Sequence, residues 1–334
     1  MPPTLSIIVP VYNVENHIEK CAVSLFEQTL TNIEYVFVND CSPDNSMTVL
    51  KDVIRRYPER KDSIIIINHE YNKGLSVARF AGLQIATGDY IAHCDSDDWV
   101  ESNMYEMMLN EAEKENADIV CSDIFIDRSL SIIEDKFDKN LYVVNKFDYL
   151  SKISLGGKYS ALWNKLVKRS LYFENNTFPV DNISMWEDMV VTFRLIYFSQ
   201  KTVIIHQSLY HYVYNEESIS STYSQNHILQ QIKCSQFIEN FFIDKGKSEF
   251  RKYFTPVQNL KFISKSQYLL NKNIRDFDLW RKTFPESNKY IWKYKGLSFY
   301  RRFVFWLASI GFVKTSSKMF DMKIFYNILK YIRK

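Results

Sequence analysis

The sequence predicts an α/β fold, a mostly parallel sheet with flanking helices, followed by a helical C-terminal region. Three observations carry that prediction. Five short apolar runs interleave with four helix-length segments before Phe125, the order that gives a sheet covered on both sides. Residues 63–68 contain four consecutive isoleucines, Ile64 to Ile67, as expected of a strand buried on both faces. From about Asn226 onward the pattern is helical only.

Each element has a local reason. Leu5 to Val9 is an apolar run closed by Pro10. Residues 14–28 read as a helix with Ile18, Ala22, Leu25 and Phe26 on one face. Residues 34–38 form the second strand. The helix over 44–57 has Asp44 and Asn45 as caps and ends at Pro58. A helix over 76–86 precedes Gly88, a candidate cap, and residues 90–94 make the fourth strand. A helix over 102–115 and a strand over 117–125 complete this part. Residues 126–160 read as a connection with one short helix. A helix over 189–199 then precedes strands at 202–205 and 209–214. Long helical patterns run through Asp244 and from 248 to 271.

Composition narrows the class. Hydrophobic residues make up 46% and charged residues 24%, ordinary for a globular enzyme. Eight glycines and eight prolines argue against long flexible linkers. The five cysteines are scattered without C-x-x-C spacing, which fits a reducing compartment and argues against a disulfide framework or zinc ribbon. Met1-Pro2-Pro3-Thr4 leads directly into a strand with no signal-peptide pattern, so a cytoplasmic location is expected. Net charge is only +3, yet residues 289–334 hold eleven Lys or Arg against one acid, Asp321. The remainder is therefore net acidic, an asymmetry that calls for an anionic partner.

The polar clusters fall after strands or in the following turns, where α/β sheets bind ligands. They are Tyr12-Asn13, Asn39-Asp40, Asn72-Lys73-Gly74 and Asp95-Ser96-Asp97-Asp98. Three carboxylates within four residues repel one another unless a cation lies among them. Hard divalent ions favour such oxygen groups and keep positions open for phosphate. A solvated acidic turn is the competing reading of those four residues alone.

These pieces occur together in the order Pro10-Val11-Tyr12-Asn13, Asn39-Asp40-Cys41-Ser42, Asn72 to Arg79, Gly88-Asp89-Tyr90-Ile91 and Asp95 to Asp98. Trp163-Asn164-Lys165-Leu166 and Trp186-Glu187-Asp188 follow. The ordered set resembles the family 2 glycosyltransferases of the GT-A, Rossmann-like fold, of the kind that builds bacterial surface or capsular polysaccharides. The resemblance implies a base pocket at Pro10, Tyr12 and Asn13, and Asp40 hydrogen-bonding uracil or ribose. It implies Asp95, with Ser96 beside it, near the ribose or sugar, and Asp97 as ligand to Mn2+ or Mg2+. Arg79 would reach toward sugar or phosphate, while Asn72 and Gly74 shape the loop before it, Gly74 by allowing close backbone approach.

An inverting transfer needs a carboxylate to take the acceptor's proton. The resemblance assigns that role to Asp188, with Glu187 as its orienting neighbour or as the reserve base; read locally, the pair only complements a helix N-terminus. Leu209-Tyr210-His211-Tyr212 with Ser218-Ile219-Ser220 resembles a segment that closes over the diphosphate, making His211 a candidate metal or phosphate contact. The sequence departs from the family at Cys41, where Gly is usual, at Phe80 and at Val213.

The implied organisation is a catalytic domain over 1–222, divided near residue 125 into nucleotide-sugar and acceptor halves, then a helical region over 223–334. The implied partners are a nucleotide-sugar donor, a UDP-sugar first, and a glycan or lipid-linked saccharide acceptor. Two other readings compete: a polyprenyl-phosphate sugar transferase, and a degenerate glycan- or nucleotide-binding subunit. The apolar run over 303–313, flanked by Arg301, Arg302 and Lys314, is too short to span a bilayer. It suits either a peripheral anionic membrane surface or packing on the domain. Nucleic acid is not an expected partner, because the body is acidic and carries no recognition motif.

Overall fold

The computed structural model describes residues 3–180, 183, 185–214, 224–294 and 296–321. The chain divides into two compact units, residues 1–216 and 217–334.

The first unit begins with β1 (Leu5–Val11), α1 (Ile18–Phe26), β2 (Ile33–Asn39), α2 (Ser46–Arg56), β3 (Ile64–Asn68), α3 (Leu75–Ile85) and β4 (Tyr90–His93). β1 pairs in parallel with both β2 and β4, and β2 pairs in parallel with β3. Next come β5 (Trp99–Val100), α4 (Met104–Glu115), β6 (Ile119–Arg128), β7 (Ser131–Asp135), α5 (Lys146–Lys152), β8 (Lys165–Lys168), α6 (Arg169–Glu174), α7 (Glu187–Phe198) and β9 (Thr202–Val213). The strands form one sheet in the order β3-β2-β1-β4-β8-β6-β9-β5, with β7 pairing to β6. β8 runs antiparallel to both β4 and β6, so the sheet is mixed beyond its first four strands.

Several expectations change. β3 is an edge strand, and its isoleucines are only partly buried, packing one side against the core. A run of isoleucines cannot tell a central strand from an edge one. The two strands expected over 202–214 are one strand, β9, with the register against β6 shifting near Asp123. The connection over 126–160 contains the β6–β7 hairpin, and β5, β8 and α6 were missed because each is six residues or fewer.

Pro10 lies inside β1 and is buried rather than lining a turn. Its side of the strand faces β4, whose pairing ends at Ile8 and His93, so its missing N–H leaves no ladder bond unmade. Gly88 is not a helix cap. A Cβ there would stand 2.6 Å from Ser6 N and 2.7 Å from Leu5 C, and its own N–H donates to Ser6 Oγ at 2.8 Å. Glu34 completes this buried join, accepting from Ser6 Oγ at 2.5 Å and from Thr87 N at 2.9 Å. Gly88→Ala is expected to cost about 1–3 kcal/mol, because backbone cannot give way as a flexible side chain does. Urea unfolding measures it; an unchanged midpoint would show that β1 shifts freely.

The second unit is helical: α8 (Gln225–Asp244), α9 (Lys247–Lys252), α10 (Phe254–Leu270), α11 (Phe277–Lys282), α12 (Phe299–Ser309) and α13 (Val313–Asp321). Ile228, Phe262, Leu269, Trp280, Ile291 and Phe305 form its core. Among the described residues no helix is long and apolar enough to cross a membrane. All five cysteines are free thiols.

Candidate active site

The carboxyl ends of β1 and β2 turn sharply. Asn13 and Cys41 take φ of 54° and 57°, the left-handed region. That explains why glycine is expected at position 41. Ser42 clasps the two turns, its Oγ accepting from Asn13 N at 2.8 Å and donating to Asp44 Oδ1 at 2.6 Å. Tyr12 stands on this rim 46% exposed, a ring with a free face rather than core filling.

Asp40 is buried and heavily engaged. Its Oδ1 accepts from Lys73 N at 2.8 Å and lies 2.7 Å from His69 Nδ1, and its Oδ2 accepts from Gly74 N at 2.8 Å. Three of a carboxylate's roughly four acceptor positions are thus used inside the chain. Asp40 holds the loop that contains Asn72 and Gly74. Asn72 Oδ1 also accepts from Gly74 N, at 3.0 Å. Gly74 has φ of 88°, so the backbone conformation itself favours glycine there.

The loop delivers α3, and α3 carries Arg79. This arginine is 2% exposed. Its Nη1 donates to Glu187 Oε1 at 2.9 Å and its Nη2 to Asp95 Oδ1 at 2.5 Å. Burial disfavours its charge, but Asp95, Glu187 and Asp188 outweigh burial and push its pKa up. Arg79 therefore joins the acidic turn after β4 to the start of α7. Glu187 and Asp188 lie 92 or more positions beyond Asp95 in sequence, and no spacing rule connects them.

The four residues after β4 part ways. Asp98 is buried, accepting from Tyr210 hydroxyl at 2.7 Å and from Val213 N at 2.8 Å. It fastens β9 to the acidic turn. Burial, with the charges of Asp97 and Asp95, pushes its carboxyl up. Ser96 is also buried. Asp97 remains partly exposed, its carboxyl pushed up to about 6 by burial and then by the Asp95 charge. Tyr210, not singled out from sequence, accepts from Asp95 N at 3.1 Å and stacks on Trp163 with centroids 4.5 Å apart. Its partner Asp98 lies 112 positions away, so no local pattern marks Tyr210.

At α7, Trp186 takes φ of 70° immediately before the helix, a strained conformation for a bulky residue. This turn buries Glu187 and leaves Asp188 partly exposed. Asp188 Oδ1 accepts from Met189 N at 2.6 Å. Burial pushes its carboxyl up to about 6, with Arg79 and the Met189 N–H pulling the other way. Burial and then the Asp188 charge raise Glu187, and Arg79 opposes them. Lys165 is buried too, donating to Lys158 O at 2.9 Å and to Asn164 Oδ1 at 2.9 Å, and its charge helps lower Asp188. The Trp163 to Lys165 segment thus braces the site from within.

His211 is tightly packed. It is sandwiched between Trp99, with centroids 3.4 Å apart, and Phe125 at 4.5 Å. Its Nε2 lies 2.9 Å from Glu101 Oε1 and its Nδ1 lies 3.0 Å from Asp127 Oδ1. Both ring nitrogens face carboxylates, so His211 also serves as a buried joint between β5, β6 and β9. Ser218-Ile219-Ser220 and the domain boundary at residue 222 lie outside the described residues.

Residues 6–165 match the family model described as "Glycosyl transferase family 2". The chain is a family 2 glycosyltransferase. EpsH of Bacillus subtilis (strain 168), a glycosyltransferase by name, is 32% identical over 226 residues, 67% of this glycosyltransferase and 64% of EpsH. The chain thus spans less than two thirds of that relative. The cholesterol galactosyltransferase of Borreliella burgdorferi is 27% identical over 330 residues, 92% of this chain and 88% of the relative. S. aureus TarS 1–349, solved with UDP-GlcNAc, superposes with a TM-score of 0.71 at 16% identity, covering 95% of this glycosyltransferase and 90% of TarS. The fold is therefore GT-A.

Proposed function

We propose that this glycosyltransferase moves a sugar from a nucleoside-diphosphate sugar to a hydroxyl of a glycan or lipid-linked saccharide, with inversion, in the synthesis of a surface polysaccharide. The observation that carries this reading is the pair of bonds from Arg79 to Asp95 and to Glu187. One buried cation gathers the donor-side acids and the base-side acids into a single centre.

Tyr12 offers its exposed ring to the nucleotide base, and the loop held by Asp40 and Asn72 sets the entry to α3. Asp97 suits a hard divalent cation, Mn2+ or Mg2+. It is an oxygen ligand whose ionisation is opposed by burial and by Asp95, a deficit that a cation relieves. Among the described residues no group of three or more His, Cys, Asp or Glu is placed to hold a metal ion by itself, so water and the diphosphate would have to complete the shell around Asp97. When bound, the ion neutralises charge gathering on the diphosphate. Asp188 takes the proton of the acceptor hydroxyl as that oxygen bonds the anomeric carbon and the carbon–phosphate-oxygen bond breaks. Glu187, tied to Arg79, keeps the first turn of α7 in place.

UDP-sugars come first as donors because TarS was solved with UDP-GlcNAc. A lipid hydroxyl is a second acceptor class, since the relative aligned over most of this chain is named for cholesterol. The test is a screen of UDP- and GDP-sugars for binding, hydrolysis and transfer, with and without Mn2+. Asp97→Ala is expected to lose at least about a hundredfold in metal-dependent turnover. Donor binding without any turnover would favour the binding-subunit reading. Loading of one sugar onto polyprenyl phosphate would favour the other transferase reading.

A further inference from the structure

We propose that the aromatic face of α12 docks on an anionic lipid surface, with its rings in the interfacial layer and the flanking cations on the headgroups. Phe299, Phe303, Trp306 and Ile310 follow spacings of four, three and four residues, so they share one side of the helix. Their exposure is unusual: Phe299 is 70% exposed, Trp306 36%, Ile310 50% and the following Phe312 56%. Trp292, 40% exposed, joins them, its ring 5.6 Å from Phe299 and 6.3 Å from Trp306. Phe303 lies 5.8 Å from Trp306. The rings form one contiguous patch, which soluble chains seldom leave open without a partner.

The helix is not loosely held. Val304, Phe305 and Ala308 on its other side are fully buried, and Ser298 Oγ accepts from Arg301 N at its start. One side of the helix packs within the helical unit, Phe305 against Phe262 and Trp280, and the other presents apolar surface.

Charge chooses the occupant. Lys293 and Arg301 are exposed, as is Lys314 two residues beyond Phe312. Arg302 Nη1 donates to the Trp292 carbonyl at 3.0 Å, and Arg281 Nη2 lies 3.5 Å from where a Cβ on Gly311 would stand. The two acids between residues 281 and 321 are already paired, Glu286 with Lys261 and Asp321 with Arg275. Aromatic rings bordered by unneutralised cations match the interface of an anionic bilayer. A second copy would set these cations against their own kind.

The experiment is flotation of the full chain with phosphatidylcholine vesicles and with vesicles containing phosphatidylglycerol. Binding is expected only to the second, weakening as salt rises. Phe299→Ser/Trp306→Ser should cut partitioning at least about tenfold, from lost apolar insertion. Lys293→Glu/Lys314→Glu should cut it about thirtyfold or more, since each basic residue near such a surface contributes roughly fivefold and the reversed charges add repulsion. Circular dichroism and the melting midpoint report folding, and the charge pair lies wholly on the surface, so one arm survives if the aromatic pair misfolds. Three results would overturn the proposal: no flotation, flotation indifferent to both pairs, or a dimer in sedimentation that the aromatic pair dissociates.

Discussion

Asp188→Asn is expected to lower kcat for sugar transfer roughly a thousandfold, the scale of losing a positioned general base, while Kd for the donor stays within about threefold. The substitution separates the proposed base role from the helix-start role. Asparagine keeps an Oδ1 that accepts from Met189 N, so the start of α7 survives. It cannot accept the acceptor's proton. The wild-type profile of kcat/KM should rise with pH and level off above about 6, because burial favours the protonated carboxyl and only the ionised form is a base. The Asn variant should lack that limb. Because Glu187 and Asp188 adjoin, the observed value belongs to the pair. Stability should move the other way. A carboxyl whose folded pKa is raised costs stability as pH climbs from its unfolded value through about 6, so Asn should hold or raise the melting midpoint at neutral pH. Full turnover in Asp188→Asn would remove it as base and leave only the helix-start role.

Arg79→Met carries the largest expected effect on stability. It strands Asp95 and Glu187 without their shared counter-charge, and breaking one side of a buried ion pair costs about 3–5 kcal/mol. At roughly 2–4 °C per kcal/mol for a unit of this size, the midpoint should fall by about 6–20 °C. Arg79→Lys should recover only part of the loss, since an ammonium lacks the fork that reaches two carboxylates at once. The deficit should shrink at acidic pH, where protonation removes the stranded charges. Adding Glu187→Gln to Arg79→Met should recover stability but not turnover. A loss below about 1 kcal/mol would mean that solvent already satisfies these acids, and the claim of one joined centre would fail.

Some of the site was readable before any coordinates. Tyr12, Asn72, Gly74 and Asp95 to Asp98 are turn residues placed by the strand before them, and a strand's end is a local property. The ordered motifs then supplied Arg79 and the Glu187-Asp188 pair. Roles were less legible. Asp40, a nucleotide contact by resemblance, also holds the 72–74 loop, and His211, a metal or phosphate candidate by resemblance, also stands stacked on Trp99. Asp97 and Asp98 are adjacent and chemically identical, yet one is open and the other fastens β9.

Alternation of apolar runs and helical segments, together with strand-end turn chemistry, was enough to specify the parallel half of the sheet and the places where polar side chains gather. That information is local, because burial period and backbone preference act over a few residues. Three things depended on the chain closing on itself: that Arg79 meets both Asp95 and Glu187, that Tyr210 selects Asp98 from three carboxylates, and that α12 buries one apolar side while exposing another. Each is set by contacts between distant segments, where desolvation and charge pairing, not residue type, decide what a side chain does.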